Sequence, residues 1–504
     1  MSGRYISQPR RAGRALAALL AGAGLSGCDL TWNRPTFEVP VAETYRARKA
    51  PEAPPVSDRW ADAFGSRELS GLVDQALNDN LDIAAAVARI EQADAQAKVA
   101  GAPLFPQVGL DGSSTRGRTP GTIASQEAPR QSDGTYHFSG QYRSLYSLGL
   151  NASYQLDFWG KNRDAADAAR LNAEASRYDR SVVALTTVAT VVNYYFAILG
   201  AQDRLRIANN NVKIASEVLD AIKQRVAVGT ASELDLAQQE SVVATQRANI
   251  PTLEQNLQQT RNLLAVLVGR TPESFGVKGG SLNALKAPKV QPGLPSQLLL
   301  RRPDIAEAEA KLASADLSVT SARAAMYPNI SLTGQYGIES LLLKSLFRPE
   351  AIAWQYAAQL VQPLIDGRNL QGQLDVQKGR YTELLHLYHK QILTAFSDVE
   401  NALIAVQQNT EREKLQNAAA AASRRAYDAS IQRLREGTID IITLSTTQTS
   451  LFNNLELAAI TRIARFQALV SLYQALGGGW AEPMKEIARI EESNSFSDPK
   501  GIIP

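Results

Sequence analysis

Two hydrophobic periods alternate along this chain. In SLGLNASYQLDF, residues 147–158, Leu148, Leu150, Ala152, Tyr154, Leu156 and Phe158 are apolar or aromatic, whereas Ser147, Gly149, Asn151, Ser153, Gln155 and Asp157 are polar or small. NISLTGQYGIE repeats the alternation, with Ile330, Leu332, Tyr336 and Ile338 set against Asn329, Ser331, Thr333, Gln335 and Glu339. IAWQYAAQL does the same with Ile352, Trp354, Tyr356 and Leu360 against Gln355 and Gln359. A fourth stretch, around QVGLDGSS, is weaker but keeps Val108 and Leu110 in phase. Period two over such lengths predicts four strands, and it fits either a half-buried soluble sheet or a membrane barrel with an apolar outside and a wet lumen.

Elsewhere the period lengthens to that of a helix. No proline or strong break falls between Gly160 and Val228, which predicts a rod of roughly 104 Å at 1.5 Å per residue. The stretch from Gly367 to Glu436 is equally uninterrupted. Ile198, Ala201, Leu205, Ala208, Val212, Ala215, Leu219, Ile222 and Val226 follow three-four spacing, a coiled-coil seam with small residues that permit close approach. Rods of this length need partners alongside. Helices expected over 80–102 and 230–268 would together match the first rod, with Pro251 bending the second of them by removing a backbone bond. Residues 181–199, SVVALTTVATVVNYYFAIL, are long enough to cross a bilayer, but Thr186, Thr187, Thr190 and Asn193 dilute the run, so it reads as part of the longer helix.

The elements occur twice. NLDIAAAVARIEQADAQAKVAGAPLFPQVGL, from Asn80, aligns without gaps on RPDIAEAEAKLASADLSVTSARAAMYPNISL, from Arg302, at an offset of 222. Later landmarks fall at 207 (Gly160 with Gly367) and 208 (Gly229 with Gly437, Gly269 with Gly477). The first copy therefore carries about 15 extra residues, placed in the polar stretch GSSTRGRTPGTIASQ and read as an exposed loop. Each copy runs short helix, strand, loop, strand, long helix, turn, helix. The domain reading is a signal segment 1–27, an extended arm 28–65, a first repeat 66–278, a second repeat 279–480 and a tail 481–504.

Composition adds an address. Arg4, Arg10, Arg11 and Arg14 precede the apolar run 15–25, too short to span a bilayer, so the chain begins with an export signal. The signal runs into LSGC, which resembles a bacterial lipobox, making Cys28 the expected lipidation site. Asp29 directly after it resembles an inner-membrane retention signal of enteric bacteria. Cys28 is the only cysteine, which excludes an intramolecular disulfide. A net charge of +3 over 504 residues gives no pointer to nucleic acid. Export and lipidation tilt the strands toward the membrane. Because the smallest bacterial barrels need about eight strands, several copies would have to share one.

This arrangement resembles the TolC-like outer membrane factor family, in its efflux-lipoprotein branch with OprM-like and NodT-like channels. The resemblance rests on the RRPDIAEAEAKL stretch through NISL, LDFWGK after the second strand, PLIDGR at the same place in the second copy, and two glycine turns followed by SELDLAQQES and IDIITLSTTQTS. It implies a fold that is mainly α with membrane β. A long α-helical coiled-coil barrel would join a trimeric twelve-stranded outer-membrane β-barrel, four strands per chain, on the internal repeat. The implied function is that of a passive exit duct for small molecules in a tripartite efflux system. Its partners would be a homotrimer of itself, outer-membrane lipid, a periplasmic adaptor of the membrane-fusion type and an inner-membrane pump of the resistance, nodulation and division type. Protein secretion or metal efflux would use the same duct.

By the same resemblance, the turns at Val228, Gly229 and Thr230 and at Gly437 and Thr438 would be adaptor-binding tips. Asp235, Ile442 and Thr446 would line a periplasmic gate, with less negative charge than relatives carry because Thr443 and Thr446 stand where many have aspartates. On the residues alone, the glycines also serve simply as turn-formers.

No cofactor, metal or catalytic site is expected. His386 and His389 sit three apart without a third ligand. Gly477, Gly478 and Gly479 lack the lysine and hydroxyl of a phosphate loop and read as a helix end. The rival from another class is a non-channel periplasmic coiled-coil lipoprotein, which would not place its strands against lipid.

Overall fold

A computed structural model of the chain describes residues 32–35, 45–46, 56–120 and 141–480. Cys28, the signal segment and the tail lie outside the described residues. The helices are α1 (Arg67–Asp79), α2 (Leu81–Gly101), α3 (Lys161–Ala227), α4 (Glu233–Leu267), α5 (Pro303–Ala324), α6 (Asn369–Arg435) and α7 (Ile441–Ala475), and the strands are β1 (Gln107–Thr119), β2 (Gln141–Leu156), β3 (Asn329–Ser340) and β4 (Ile352–Val361). The rods α3 and α6 each run 67 residues, and α4 and α7 each run 35. Contacts divide the chain into two units, one of Met1–Phe37, Ala97–Ala169 and Ser314–Thr382, the other of Glu38–Gln96, Arg170–Ala313 and Glu383–Pro504.

The first unit holds one antiparallel sheet in the order β1-β2-β3-β4. Its register pairs Leu110 with Leu150, Leu150 with Tyr336, and Tyr336 with Trp354. Even-numbered residues therefore share one face across all four strands, and the period read from the sequence becomes one continuous apolar surface. The odd face is polar: Ser113 and Ser147 share a hydrogen bond of 2.8 Å, and the Asn151 amide donates to Asp111. The sheet's base is pinned by Trp159, which stacks on Tyr327 at 4.9 Å and donates from Nε1 to Pro328 O at 2.8 Å.

One sequence expectation fails here. The inserted stretch in the first copy is not all loop, because β1 continues through Thr119 and pairs with β2 as far back as Gln141. The polar residues that looked like loop, Ser113 to Arg118, alternate between two exposed faces, where hydrophilicity carries no information about strand or coil.

Among the described residues the second unit is helical around two large buried clusters and a small one of Ala175, Tyr178 and Ala310. In the larger, Trp60 stacks on Tyr473 at 4.9 Å, and Phe64, fully buried, meets Phe196 edge-on at 4.9 Å. Trp60–Phe64 is a 3-10 helix, so the end of the segment expected to be extended is anchored in this core. Helix α1 follows it, capped by Ser66 and buried through Leu69, Leu72, Val73 and Ala76. That helix was absent from the sequence reading, although its three-four spacing is visible in RELSGLVDQAL. Val188, Val191, Val192, Phe196 and Leu199 of the apolar stretch 181–199 also lie in the core. Helix α4 continues through the exposed Pro251 without a break.

Both halves close their 35-residue helix in the same way. Asn80 Nδ2 donates to Leu267 O at 2.8 Å, at the end of α4, and Arg302 Nη1 donates to Ala475 O at 3.3 Å, at the end of α7. These are the first aligned positions of the two sequence copies. Beyond each carbonyl the chain turns at a left-handed glycine, Gly269 (φ 68°) or Gly477 (φ 87°). A Cβ at Gly269 would collide with Asp79 O, and one at Gly477 with Arg301 O. Glycine is thus required by both conformation and space. Arg302 also bonds Asp304 at 2.6 Å and Asp398 at 3.1 Å. Burial pushes the Asp304 carboxyl up, but the Arg302 guanidinium outweighs it and holds the group below its ordinary value.

Candidate functional site: hairpin tips and strand faces

The two helical hairpins turn by the same backbone device. At the end of α3, Thr230 N donates to Arg225 O at 2.8 Å and Gly229 N to Val226 O at 3.0 Å. At the end of α6, Thr438 N donates to Arg433 O at 2.9 Å and Gly437 N to Leu434 O at 3.1 Å. These pairs form the Schellman motif, which needs a left-handed residue at the turn. Gly229 (φ 76°) and Gly437 (φ 73°) supply it. Each threonine adds its hydroxyl to the same carbonyl, at 3.1 Å in both turns. A Cβ at either glycine would meet nothing within 4 Å. The turns are therefore glycine for conformation only, and a bare strip of backbone faces outward. Val228 beside it is 72% exposed.

The structure brings the two tips together. Arg225 Nη2 donates to Leu434 O at 2.9 Å, joining the end of α3 to the end of α6. Beneath them Val218, Leu219, Ile222, Val243, Tyr427, Ile441, Leu444 and Phe452 form a cluster drawn from all four long helices. Gln239 and Gln448 lie buried within the bundle, Nε2 to Oε1 at 3.2 Å, and Gln239 Nε2 also donates to Ala215 O at 2.9 Å. Burial pushes the Tyr427 hydroxyl up to about 12.

The candidate gate residues have local duties that were not foreseen. Asp235 is half-buried and closes a capping box: Ser232 Oγ accepts from Asp235 N at 3.2 Å, and the Asp235 carboxylate accepts from Ser232 N at 2.9 Å and from Ser232 Oγ at 2.8 Å. In the second hairpin the chemistry is exchanged. Asp440 is the N-cap and accepts from Thr443 N at 2.8 Å. Thr443 hydrogen bonds hold the Asp440 carboxyl below its ordinary value. An aspartate thus stands three residues before Thr443, as the cap, whereas the first turn of α7 itself holds no acidic residue and that of α4 holds Glu233 and Asp235. Ser232-x-x-Asp235 and Asp440-x-x-Thr443 are both capping patterns, and that signal lay in the sequence. Ile442 is 54% exposed beside the buried Ile441, and the exposed Thr446 donates to Ile442 O at 2.9 Å.

On the sheet, Leu110, Leu150, Tyr336, Trp354, Tyr356 and Leu360 are all exposed on the even face, Tyr356 by 80%. Every residue of β4 is exposed. Among the described residues, strands β1 and β4 end the sheet, each with one unpaired edge. Among the described residues no group of three acidic, histidine or cysteine side chains is placed to hold a metal ion.

Long paired helical hairpins and an open antiparallel sheet with one apolar face define the class of TolC-like outer-membrane channels. The open-state crystal structure of the MtrE outer membrane channel of Neisseria gonorrhoeae is similar, with a TM-score of 0.78 and 28% identity, covering 89% of this chain and 97% of that one. Residues 72–270 and 294–478 match the outer membrane efflux protein family, and the chain belongs to it. It is 36% identical over 470 residues to the pyoverdine export outer membrane protein OpmQ of Pseudomonas putida, covering 93% of this chain and 98% of that protein. It is 29% identical over 482 residues to the probable outer membrane lipoprotein SilC of Salmonella typhimurium, covering 93% and 98%. The chain is an outer-membrane efflux protein.

Proposed function

We propose that three copies of this chain close a single twelve-stranded barrel in the outer membrane and continue it as a helical duct, through which an inner-membrane pump expels small molecules. The observation that carries this reading is the sheet itself. A soluble sheet buries its apolar face, whereas this one exposes Leu, Tyr, Trp and Ile side chains across all four strands and leaves two edges unpaired. Such a sheet is an aggregation hazard unless lipid covers the face and a neighbour covers each edge. The β1 edge of one copy meeting the β4 edge of the next is a head-to-tail contact that closes by rotation. Three copies supply twelve strands, within the range of bacterial barrels, and four strands alone do not close. The polar odd face then lines the lumen and offers no tight pocket, so selectivity is coarse.

The paired tips are the adaptor site. Val228, Gly229, Thr230, Gly437 and Thr438 present exposed backbone without side-chain obstruction, the surface against which a helical hairpin of a periplasmic adaptor packs closely. Asp235, Ile442 and Thr446 stand just inside, at the periplasmic gate. The pump is of the resistance, nodulation and division type. Cys28, when acylated, adds a lipid anchor beside the barrel. Purified full-length protein should run as a heat-modifiable trimer and conduct in planar bilayers. A monomer without conductance, with Trp354 and Tyr356 reachable by aqueous label, would overturn the reading.

A further inference from the structure

The apolar face of the sheet carries charge at one end only. Across the even positions of β1, β2, β3 and β4 the sole charged residues are Arg116 and Arg118, while Asp111, Arg143 and Glu339 all fall on odd positions. Arg118 pairs in register with Tyr142, and Arg116 with Ser144. Both guanidinium groups lie over the Tyr142 ring, at 6.0 Å for Arg116 and 5.7 Å for Arg118. Among the described residues neither is ion-paired with a carboxylate. Two like charges are thus held on one exposed aromatic ring, on a face without an acid, at the end of β1 and β2 farther along the chain from α2 and α3.

Height along the strand gives these groups a meaning. From Val108 to Arg118 the chain advances ten residues, about 34 Å along the strand and, at a tilt of about 40°, about 26 Å along the membrane normal. The lipid-facing apolar band of such barrels is about 25 Å tall. The arginines therefore leave the hydrocarbon where headgroups begin, in the leaflet opposite the one at which β1 starts and β2 ends. We infer that Arg116, Arg118 and Tyr142 form a docking site for the phosphate of an anionic glycolipid headgroup in the outer leaflet, one site per subunit. Paired guanidinium forks match the oxygens of a phosphate monoester, and the ring holds their stems at the interface. A zwitterionic headgroup fits less well, since its ammonium group would meet two cations and, among the described residues of this face, no carboxylate. The inference rests on the barrel reading, which fixes which face meets lipid.

The test uses the full-length trimer and an Arg116→Gln/Arg118→Gln double variant in phosphatidylcholine vesicles doped with bisphosphorylated or dephosphorylated lipid A. Lipid retained by the trimer is read by native mass spectrometry. Wild type should prefer the phosphorylated lipid, and the double variant should lose that preference by about fivefold per arginine, roughly thirtyfold for the pair. An Arg116→Lys/Arg118→Lys variant should keep part of it. Equal retention of the two lipids by wild type, an unchanged preference in the double variant, or displacement of the lipid by equimolar inorganic phosphate would overturn the inference. Conductance in pure phosphatidylcholine separates the two levels: wild type that conducts but shows no preference sinks this site alone, whereas wild type that does not conduct sinks the barrel.

Discussion

Arginine placed at Leu150 or at Asn151 should give opposite results, though the two positions are one residue apart on β2. Leu150 faces Leu110 and Tyr336 on the even side, near the middle of the apolar surface. Asn151 faces Gly109 and Gln335 on the odd side and hydrogen-bonds Asp111. At the bilayer midplane a lipid-facing arginine costs about 2–4 kcal/mol. With one copy in each of three subunits, Leu150→Arg should cost roughly 6–12 kcal/mol per trimer if the sites act independently. Asn151→Arg places its charge in water beside a carboxylate, and an exposed pair of that kind changes stability by about 1 kcal/mol or less. Trimer stability is read as the urea midpoint of the heat-modifiable band in vesicles, and pore properties as single-channel conductance. Leu150→Arg should fail to assemble or lose its midpoint, whereas Asn151→Arg should assemble with altered ion selectivity. Equal loss in both variants, or a neutral Leu150→Arg, would refute the assignment of faces on which the channel reading stands.

Other outcomes can be checked independently. Gly229→Asn and Gly437→Asn keep a residue that tolerates the left-handed turn and meets no clash, so thermal stability should shift by about 1 kcal/mol at most, while crosslinking to the adaptor and efflux in cells should fall; full efflux with both variants combined would leave the glycines as turn-formers only. Glu413, buried, accepts from Arg462 at 2.6 Å and Arg465 at 2.7 Å. Burial pushes its carboxyl up, but the two arginines outweigh that and hold it below the ordinary glutamate value. Its contribution is therefore present above about pH 4.3 and lost as pH falls through the lowered folded value. Glu413→Gln should cost about 3–5 kcal/mol at neutral pH, and calorimetry should show the gap between variant and wild type closing in acid. Asp440→Ser with Thr443→Asp rebuilds the first hairpin's cap in the second, and should recover most of the protection lost in Asp440→Ala, measured by hydrogen exchange over the first turn of α7.

Much of this architecture was legible because its signals are periodic. The seam from Ile198 to Val226 is buried or half-buried at every member, and the even face of the strands follows the alternation read from Leu148, Tyr336 and Trp354. What was hidden is specific to side chains that satisfy single backbone groups. Arg302 stood in a quoted motif, yet its role as a donor to Ala475 O joins residues 173 apart, which no local pattern reveals. The β1 extension was hidden because a strand with two exposed faces need not alternate. For the tips the turn chemistry is readable from the glycines, whereas the caps at Ser232 and Asp440 are masked because a polar residue beside a turn fits a loop as well as a cap.

A chain of this design is least safe before it finds its companions. Its β1 border is 13 residues long and its β4 border 10, and both offer a template to any stray peptide met in transit. The β4 border is flat and greasy with Trp354, Tyr356 and Leu360, whereas β1 carries glycines and arginines, so the two are poor mates for themselves and better mates for each other. Solitary life is therefore costly, and slow maturation should show itself as clumping or proteolysis of the newly exported polypeptide before it shows as any defect in the finished pore.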